Sequence, residues 1–278
     1  MKILITGIYG FLGSHLAKKL SQKHSVTGLY HTEKRMVLNP EIVCFNKLES
    51  IDVIPDVIIM CHAAVSSGTT NLDKTKLFET NVDFTKKIVE KFADIKSIYI
   101  SSVSIFGTKN EIINEQSFAN PETDYAESKL SGEKEASQNS NSIIIRFSSL
   151  YGNEMKENTL IPNYCNQALQ SQKIQVWGDG SRRQNYIHIN DAVSLIESAI
   201  ASKIKIDFPI LGVSPKEYSN DEVAKIISEL TNSEINYINH DDSPSFHYNN
   251  EMTQKILNWQ SEIELKNGLK HYLEWKKK

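Results

Sequence analysis

The chain has 278 residues, 40% hydrophobic and 23% charged, a globular composition with enough apolar material for a large core. A formal net charge of −3 argues against general nucleic-acid binding, which needs a basic face. Three scattered cysteines, Cys44, Cys61 and Cys165, exclude a disulfide framework or a zinc cluster, and no metal site is expected. Met1-Lys2 runs straight into a strand without the apolar stretch of a signal peptide, and no run reaches the length of a membrane span. The expectation is a cytoplasmic protein with no membrane partner.

Strand and helix signals alternate in chain order. Strands are expected at 2–6, 25–30, 42–45, 56–61, 97–100 and 142–147, and helices at 11–20, 72–92 and 124–136. The nearly continuous apolar run of 56–61 is that of a strand buried on both faces. Cys44 and Cys61 fall in such runs and read as buried thiols. The alternation predicts an α/β fold, a doubly wound parallel sheet with right-handed crossovers and helices on both faces. After Tyr151-Gly152 the pattern changes. A helix is expected at 160–170, strands at 185–189, 209–213 and 235–238, a helix opened by Asp191, and one over 219–230 with Ser219 and Glu222 as a capping pair. Two helices close the chain. The division expected is 1–152 plus about 185–213 for a nucleotide-binding part, with about 153–184 and 214–278 forming a smaller C-terminal lobe.

Three motifs carry chemistry. Gly7, Gly10 and Gly13 make a Gly-x-x-Gly-x-x-Gly turn between the first strand and helix. Glycine there permits a tight turn and close approach to a pyrophosphate, and the helix N-terminus favours the anion. Ser101-Ser102 ends a later strand, and Tyr125-x-x-x-Lys129 sits on a helix. A lysine one turn from the tyrosine is expected to favour the phenolate, making Tyr125 a proton donor or acceptor, with Ser102 holding the reacting oxygen. An acidic residue after the second strand marks NAD binders, and here Tyr30-His31 stands there, followed by Thr32, Lys34 and Arg35. These favour NADP(H), with NAD(H) the alternative.

Taken together the chain resembles the extended short-chain dehydrogenase/reductases of the sugar-nucleotide epimerase/dehydratase type. The resemblance rests on Thr6-Gly7-x-x-Gly10-Phe11-Leu12-Gly13, His62-Ala63-Ala64, Asn81, Ser101-Ser102 with Phe106-Gly107, Tyr125-Ala-Glu-Ser-Lys129, Arg146 to Gly152, Trp177 to Ser181, and Tyr186-Ile-His188 with Asp191. It implies a Rossmann-like cofactor domain and a substrate-binding lobe. It implies Ser102, Tyr125 and Lys129 as catalytic residues. Cofactor contacts would come from Gly7, Tyr9, Gly10, Phe11, Leu12, Gly13, His31, Thr32, Arg35, Ala63, Ala64, Asn81, Ser101 and Lys129. A nucleoside-diphosphate sugar would be held by Ser102, Tyr125, Asn163, Arg182, Arg183 and His188, the last with a packing role as its alternative. By the same analogy the chain would form a homodimer.

Departures narrow the reaction. The 4,6-dehydratases of the family have an Asp-Glu pair where this chain has Val103 and Ser104. The GDP-fucose-synthase branch has a Cys and a His where Ser104 and Thr159 stand. The Arg that grips the diphosphate in many members is Gln184, so Arg182 or Arg183 would take over that task. Two reactions remain prominent: reduction of a 4-keto-6-deoxyhexose nucleotide by NADPH, placed first, and 4-epimerisation with bound NAD. A non-catalytic dinucleotide-binding scaffold is the minor alternative.

Overall fold

A computed structural model describes residues 1–31, 39–65, 72–108 and 111–278. The chain opens with β1 (Lys2–Thr6), α1 (Phe11–Leu20), β2 (Ser25–Leu29) and β3 (Val43–Phe45). It continues through β4 (Val57–Met60), α2 (Lys74–Phe78), α3 (Phe84–Lys91), β5 (Lys96–Ser102), α4 (Asp124–Ala136) and β6 (Ser142–Phe147). After β7 (Ser149–Tyr151) and α5 (Leu160–Ser171) come β8 (Lys173–Trp177), β9 (Arg183–His188), α6 (Ile189–Ala201) and β10 (Ile210–Gly212). The remainder is β11 (Glu217–Ser219), α7 (Asn220–Thr231), β12 (Glu234–Ile238), α8 (Glu251–Leu257) and α9 (Leu265–Lys276).

Seven parallel strands form a Rossmann-like sheet in the order β10-β6-β5-β4-β1-β2-β3. Successive residues of a strand face opposite sides, and the apolar residues sort accordingly. Ile3 and Ile5 of β1 and Val57 and Ile59 of β4 pack under α1 and α6, whereas Leu4, Ile58 and Met60 face α3 with Ile88 and Phe92. Strand order reverses between β1 and β4. Their carboxyl ends therefore open a crevice at the switch point, the usual ligand position in such sheets. At the outer edge β10 pairs with β6, and the Leu211 amide donates to Thr253 Oγ1 at 2.9 Å.

Two smaller sheets, β11-β9-β7 and β12-β8, stand beside the main one. Tyr164, Val176, Ile227, Leu269 and Tyr272 belong to the separate apolar cluster there. Asp191 accepts from the amides of Glu262 and Ile263 at 3.1 Å, tying the C-terminal segment to α6.

Several local expectations change. The stretch 72–92 is helical without a break over Lys74–Lys91, as expected, but a π turn at Glu79–Asp83 lies between α2 and α3 and holds the buried Asn81. Such turns often accompany functional positions. Asp191 lies in the first turn of α6, one of the two places expected for it, and His188 is the cap. Ser219 and Glu222 form the capping box foreseen at α7. Cys44, in the middle of the edge strand β3, and Cys61, just past the end of β4, are only partly buried, whereas Cys165 is fully buried. Among the described residues no helix is long and apolar enough to cross a membrane.

Candidate active site

The glycine turn lies at the carboxyl end of β1. Gly7 has φ +65°, and a Cβ on it would stand 2.8 Å from the His62 amide nitrogen. A Cβ on Gly13 would stand 2.3 Å from the Gly7 carbonyl oxygen, so only glycine lets α1 start against the turn. Gly10 is the N-cap and no side chain caps this helix, leaving the backbone amides of Phe11 and Leu12 facing outward at the crevice. The residues present fit a dinucleotide pyrophosphate.

Around this turn Tyr9 packs on Tyr30 with ring centroids 5.1 Å apart. Its hydroxyl is buried without a partner among the described residues, and burial with the Cys44 thiol pushes its ionisation well up. His31 is exposed at the end of β2. Thr32 and Arg35 lie outside the described residues, as does Lys34. Ala63 is exposed and Ala64 half-buried. Asn81 fixes this segment: its Oδ1 accepts from the Ala64 amide at 2.9 Å, and its Nδ2 donates to the Ala64 carbonyl at 3.0 Å and to Ser128 Oγ at 2.9 Å. Behind it His62 is buried, with Nδ1 2.6 Å from Thr6 Oγ1 and Nε2 3.1 Å from Thr85 Oγ1. Burial pulls its pKa down to about 3, so the ring is neutral.

Ser101 and Ser102 point to opposite sides of β5. Ser101 is 5% exposed and its hydroxyl has no partner among the described residues. Ser102 Oγ accepts from the Ser104 amide at 3.1 Å, which leaves its proton free to be donated. Tyr125 begins α4, where Thr123 Oγ1 accepts from the Ala126 amide at 3.1 Å as cap. Burial pushes the Tyr125 phenol up to about 12, and the neighbouring Ser102 hydroxyl pulls the other way. Lys129, expected to favour this phenolate, is not among the influences on it. The Lys129 Nζ donates to the Ile100 carbonyl at 2.7 Å and lies 4.2 Å from the centre of the Tyr99 ring, so it is engaged with β5.

Ser102 and Tyr125 line a cleft of about 760 Å³ together with Leu160, Arg182, Gln184 and Tyr186. Phe11 lines it from the glycine turn. Arg182 Nε reaches the Pro244 carbonyl at 3.4 Å, and Gln184 donates to Asn220 Oδ1 at 2.9 Å.

Three residues assigned to substrate lie elsewhere. Arg183 donates to the Glu217 carbonyl at 2.8 Å and pairs with Glu222 at 3.1 Å, because alternation along β9 turns it from the side shared by Arg182 and Gln184. Asn163 is exposed and accepts from Gln167 at 3.1 Å, since α5 buries Ile161, Tyr164 and Cys165. The His188 ring packs edge-on against Tyr151, and its Nδ1 accepts from the Asn190 amide at 3.2 Å; its packing alternative is the one the structure displays.

Further residues line the cleft, Tyr186 among them from the Trp177-to-His188 stretch that the resemblance assigns to the sugar nucleotide. Ser104 and Tyr186 have buried hydroxyls without partners among the described residues. The unpartnered state is visible only in three dimensions, although both residues stand inside motifs. Phe246 and Tyr248 reach the cleft from a polar loop with no periodicity to mark it.

Residues 3–208 match the family model described as the NAD dependent epimerase/dehydratase family. The chain belongs to this family. Its members are enzymes of the extended short-chain dehydrogenase/reductase class, and this chain is one of them. It is 28% identical over 260 residues to a UDP-N-acetyl-alpha-D-glucosaminuronate decarboxylase of Bacillus cytotoxicus, covering 84% of this chain and 81% of the relative. It is 24% identical over 302 residues to a putative UDP-glucose 4-epimerase of Methanocaldococcus jannaschii, covering 99% and 98%. Its fold matches a UDP-glucuronic acid 4-epimerase from Bacillus cereus, solved with UDP-glucuronic acid and NAD, with TM-score 0.87 at 21% identity, covering 100% and 99%.

Proposed function

We propose that this family member is a nucleoside-diphosphate-sugar 4-epimerase that retains NAD. The observation that carries the reading is Ser102 beside Tyr125 in a cleft where the next two positions are Val103 and Ser104. Such a site moves the proton of a hydroxyl. It lacks the acid and base that eliminating water from the sugar requires. Among the described residues the one carboxylate lining the cleft, Glu122, is exposed and accepts from Thr108 at 2.8 Å and Asn120 at 3.2 Å. The names of the relatives support the reading: a 4-epimerase solved with NAD and a putative 4-epimerase of nearly equal length.

Gly7, Gly10 and Gly13 would hold the pyrophosphate of NAD, and Ala63 and Ala64 would border it. Bound NAD supplies a reversible hydride acceptor. Tyr125, in its deprotonated form, would take the C4 hydroxyl proton of the sugar while the C4 hydrogen leaves as hydride, and Ser102 would donate to the same oxygen. Once the ketone has turned in the cleft, hydride would return to its other face and Tyr125 would return the proton, leaving C4 inverted. Arg182 would hold the diphosphate in place of the Arg that Gln184 replaces, while the Ser104 and Tyr186 hydroxyls would meet polar groups of the substrate. Residues 1–152 with 185–213 would form the cofactor part, and 153–184 with 214–278 the substrate part.

One observation favours the reductase that the sequence placed first. Tyr30-His31, at the end of β2, offers no carboxylate to a ribose hydroxyl. The test denatures purified protein, identifies the released dinucleotide, and follows UDP-glucose and UDP-glucuronic acid by NMR. Stoichiometric NAD with C4 inversion and no net cofactor consumption is expected. An empty protein that oxidises NADPH with a 4-ketosugar nucleotide would replace the epimerase by the reductase.

A further inference from the structure

One wall of the substrate cleft comes from the segment 152–159, which joins β7 to α5 without helix or strand. Met155, Lys156 and Thr159 of this segment line the cleft. It starts as a tight turn, with Gly152 at φ +144° and Glu154 at φ +69°, and the Met155 amide donates to the Gly152 carbonyl at 3.3 Å. Met155, 8% exposed, fastens it to the apolar cluster of the smaller sheets.

The other fastening comes from α9. At Gly268 this helix lies so close to β7 that a Cβ there would stand 2.2 Å from the Tyr151 hydroxyl oxygen. In its last turn, Lys276 Nζ donates to both carboxylate oxygens of Glu157, Oε2 at 2.8 Å and Oε1 at 2.9 Å. Asn166 on α5 donates to Glu157 Oε2 at 2.8 Å. The Lys276 side chain is only 12% exposed, and its Nζ lies 5.4 Å from the centre of the Tyr272 ring. Partial burial pushes the Glu157 carboxyl up, but the hydrogen bonds from Lys276 and Asn166 outweigh this and hold it below the ordinary range. An isolated surface ion pair fixes little. Here one carboxylate ties α9, α5 and the segment together, and the ammonium is mostly out of water.

Lys156 stands next to Glu157. It is exposed, and its ammonium has no hydrogen-bond or ion-pair partner among the described residues. Lys156 and Arg182 are the two cations that the described residues bring to the cleft wall. A diphosphate bridge carries negative charge on both phosphates, so Arg182 alone leaves one of them without a counter-charge.

We propose that Lys156 is the second cation for the substrate diphosphate, and that Lys276, acting through Glu157, is the positioning residue that holds Lys156 at the cleft. The role of Lys156 rests on the sugar-nucleotide reading of the cleft. The fastening of the segment by Lys276 does not, and it is tested without ligand.

Hydrogen exchange on the unliganded protein reads the fastening. Lys276→Met is expected to speed exchange of amides 153–159 by about fivefold or more, and Lys276→Arg to restore the wild-type rate. Lys266→Met, which removes the exposed pair with Glu229 on the same helix, should leave that rate unchanged. Calorimetry then measures binding of UDP and of dTDP, which needs no turnover. Neither has a sugar, so a loss of affinity belongs to the phosphates. Lys156→Met should weaken the tighter of the two by about tenfold. Lys276→Met should weaken it by about fivefold, because only part of the population then keeps Lys156 in place, and Lys276→Arg should restore it. The double variant K156M/K276M should bind no more weakly than K156M alone, since both changes act through one ammonium. With a turned-over substrate, both single variants raise KM and leave kcat within about twofold. Unchanged exchange in Lys276→Met, unchanged affinity in Lys156→Met, or additive losses in the double variant would each overturn the proposal and leave the sugar-nucleotide reading standing. A wild-type chain that binds neither nucleotide would overturn that reading, and the role of Lys156 with it.

Discussion

Thr6 Oγ1 and His62 Nδ1 lie 2.6 Å apart and join the carboxyl ends of β1 and β4 beneath the glycine turn. The ring also meets Thr85 and packs edge-on against Phe84, so the histidine is built in as a neutral hydrogen-bonding group. With a folded pKa of about 3 and an unfolded one of about 6.5, the unfolded chain binds this proton first as pH falls. Stability is therefore complete above pH 6.5 and drops between about 6.5 and 3, by up to about 1.4 kcal/mol per pH unit. His188, lowered to about 4, acts in the same direction. Unfolding free energies from urea denaturation at pH 7 and pH 5 should differ by about 3–4 kcal/mol from these two histidines, and His62→Gln should remove roughly half of that difference.

Tyr125→Phe deletes the proton-transferring hydroxyl and little else. Turnover is expected to fall by about 10²–10⁴-fold, the span of a positioned general acid–base. Retention of the dinucleotide should not change. Single-turnover kinetics and quantification of bound cofactor check both halves.

Arg182 and Arg183 are neighbours in sequence with opposite fates. Arg182→Met should raise KM for the sugar nucleotide by about 10–100-fold with kcat little altered, the size of a charged hydrogen bond lost from binding. Arg183→Met removes a half-exposed ion pair with Glu222 and should leave KM within about twofold. Steady-state kinetics on both variants decides the assignment, and equal effects would withdraw Arg182 as the anchor.

Gly13→Ala places its methyl 2.3 Å from the Gly7 carbonyl, a backbone atom that cannot swing aside. A loss of about 1–3 kcal/mol or more is expected. Gly10→Ala meets the same oxygen at 3.0 Å and should cost less. Urea denaturation ranks the two.

The sheet was readable because its strands are apolar runs between helices of clear period, as at Val57–Met60. The glycine turn, Ser102 and Tyr125 were readable because each needs a particular residue type. What was hidden belongs to three dimensions. The π turn at Glu79–Asp83 carries no Gly or Pro to mark it, and β7 and β11 are three residues each, too short for alternation to show. Arg183 and Asn163 are turned away by the phase of their own strand and helix, which a motif match does not weigh. Spacing placed Lys129 one turn from Tyr125, but the Ile100 carbonyl decides where its ammonium goes.

The lateness of β10 has a consequence for synthesis. The ribosome delivers β6 with Phe147, but its outer neighbour begins only at Ile210, and the Thr253 hydroxyl that receives the Leu211 amide arrives later still. At about 5–20 residues per second, β6 stays an open parallel edge for on the order of several seconds. Nascent chains are thus most vulnerable to sticking to one another while the segment between these two strands is being made. Slow translation through 148–209 prolongs that exposure.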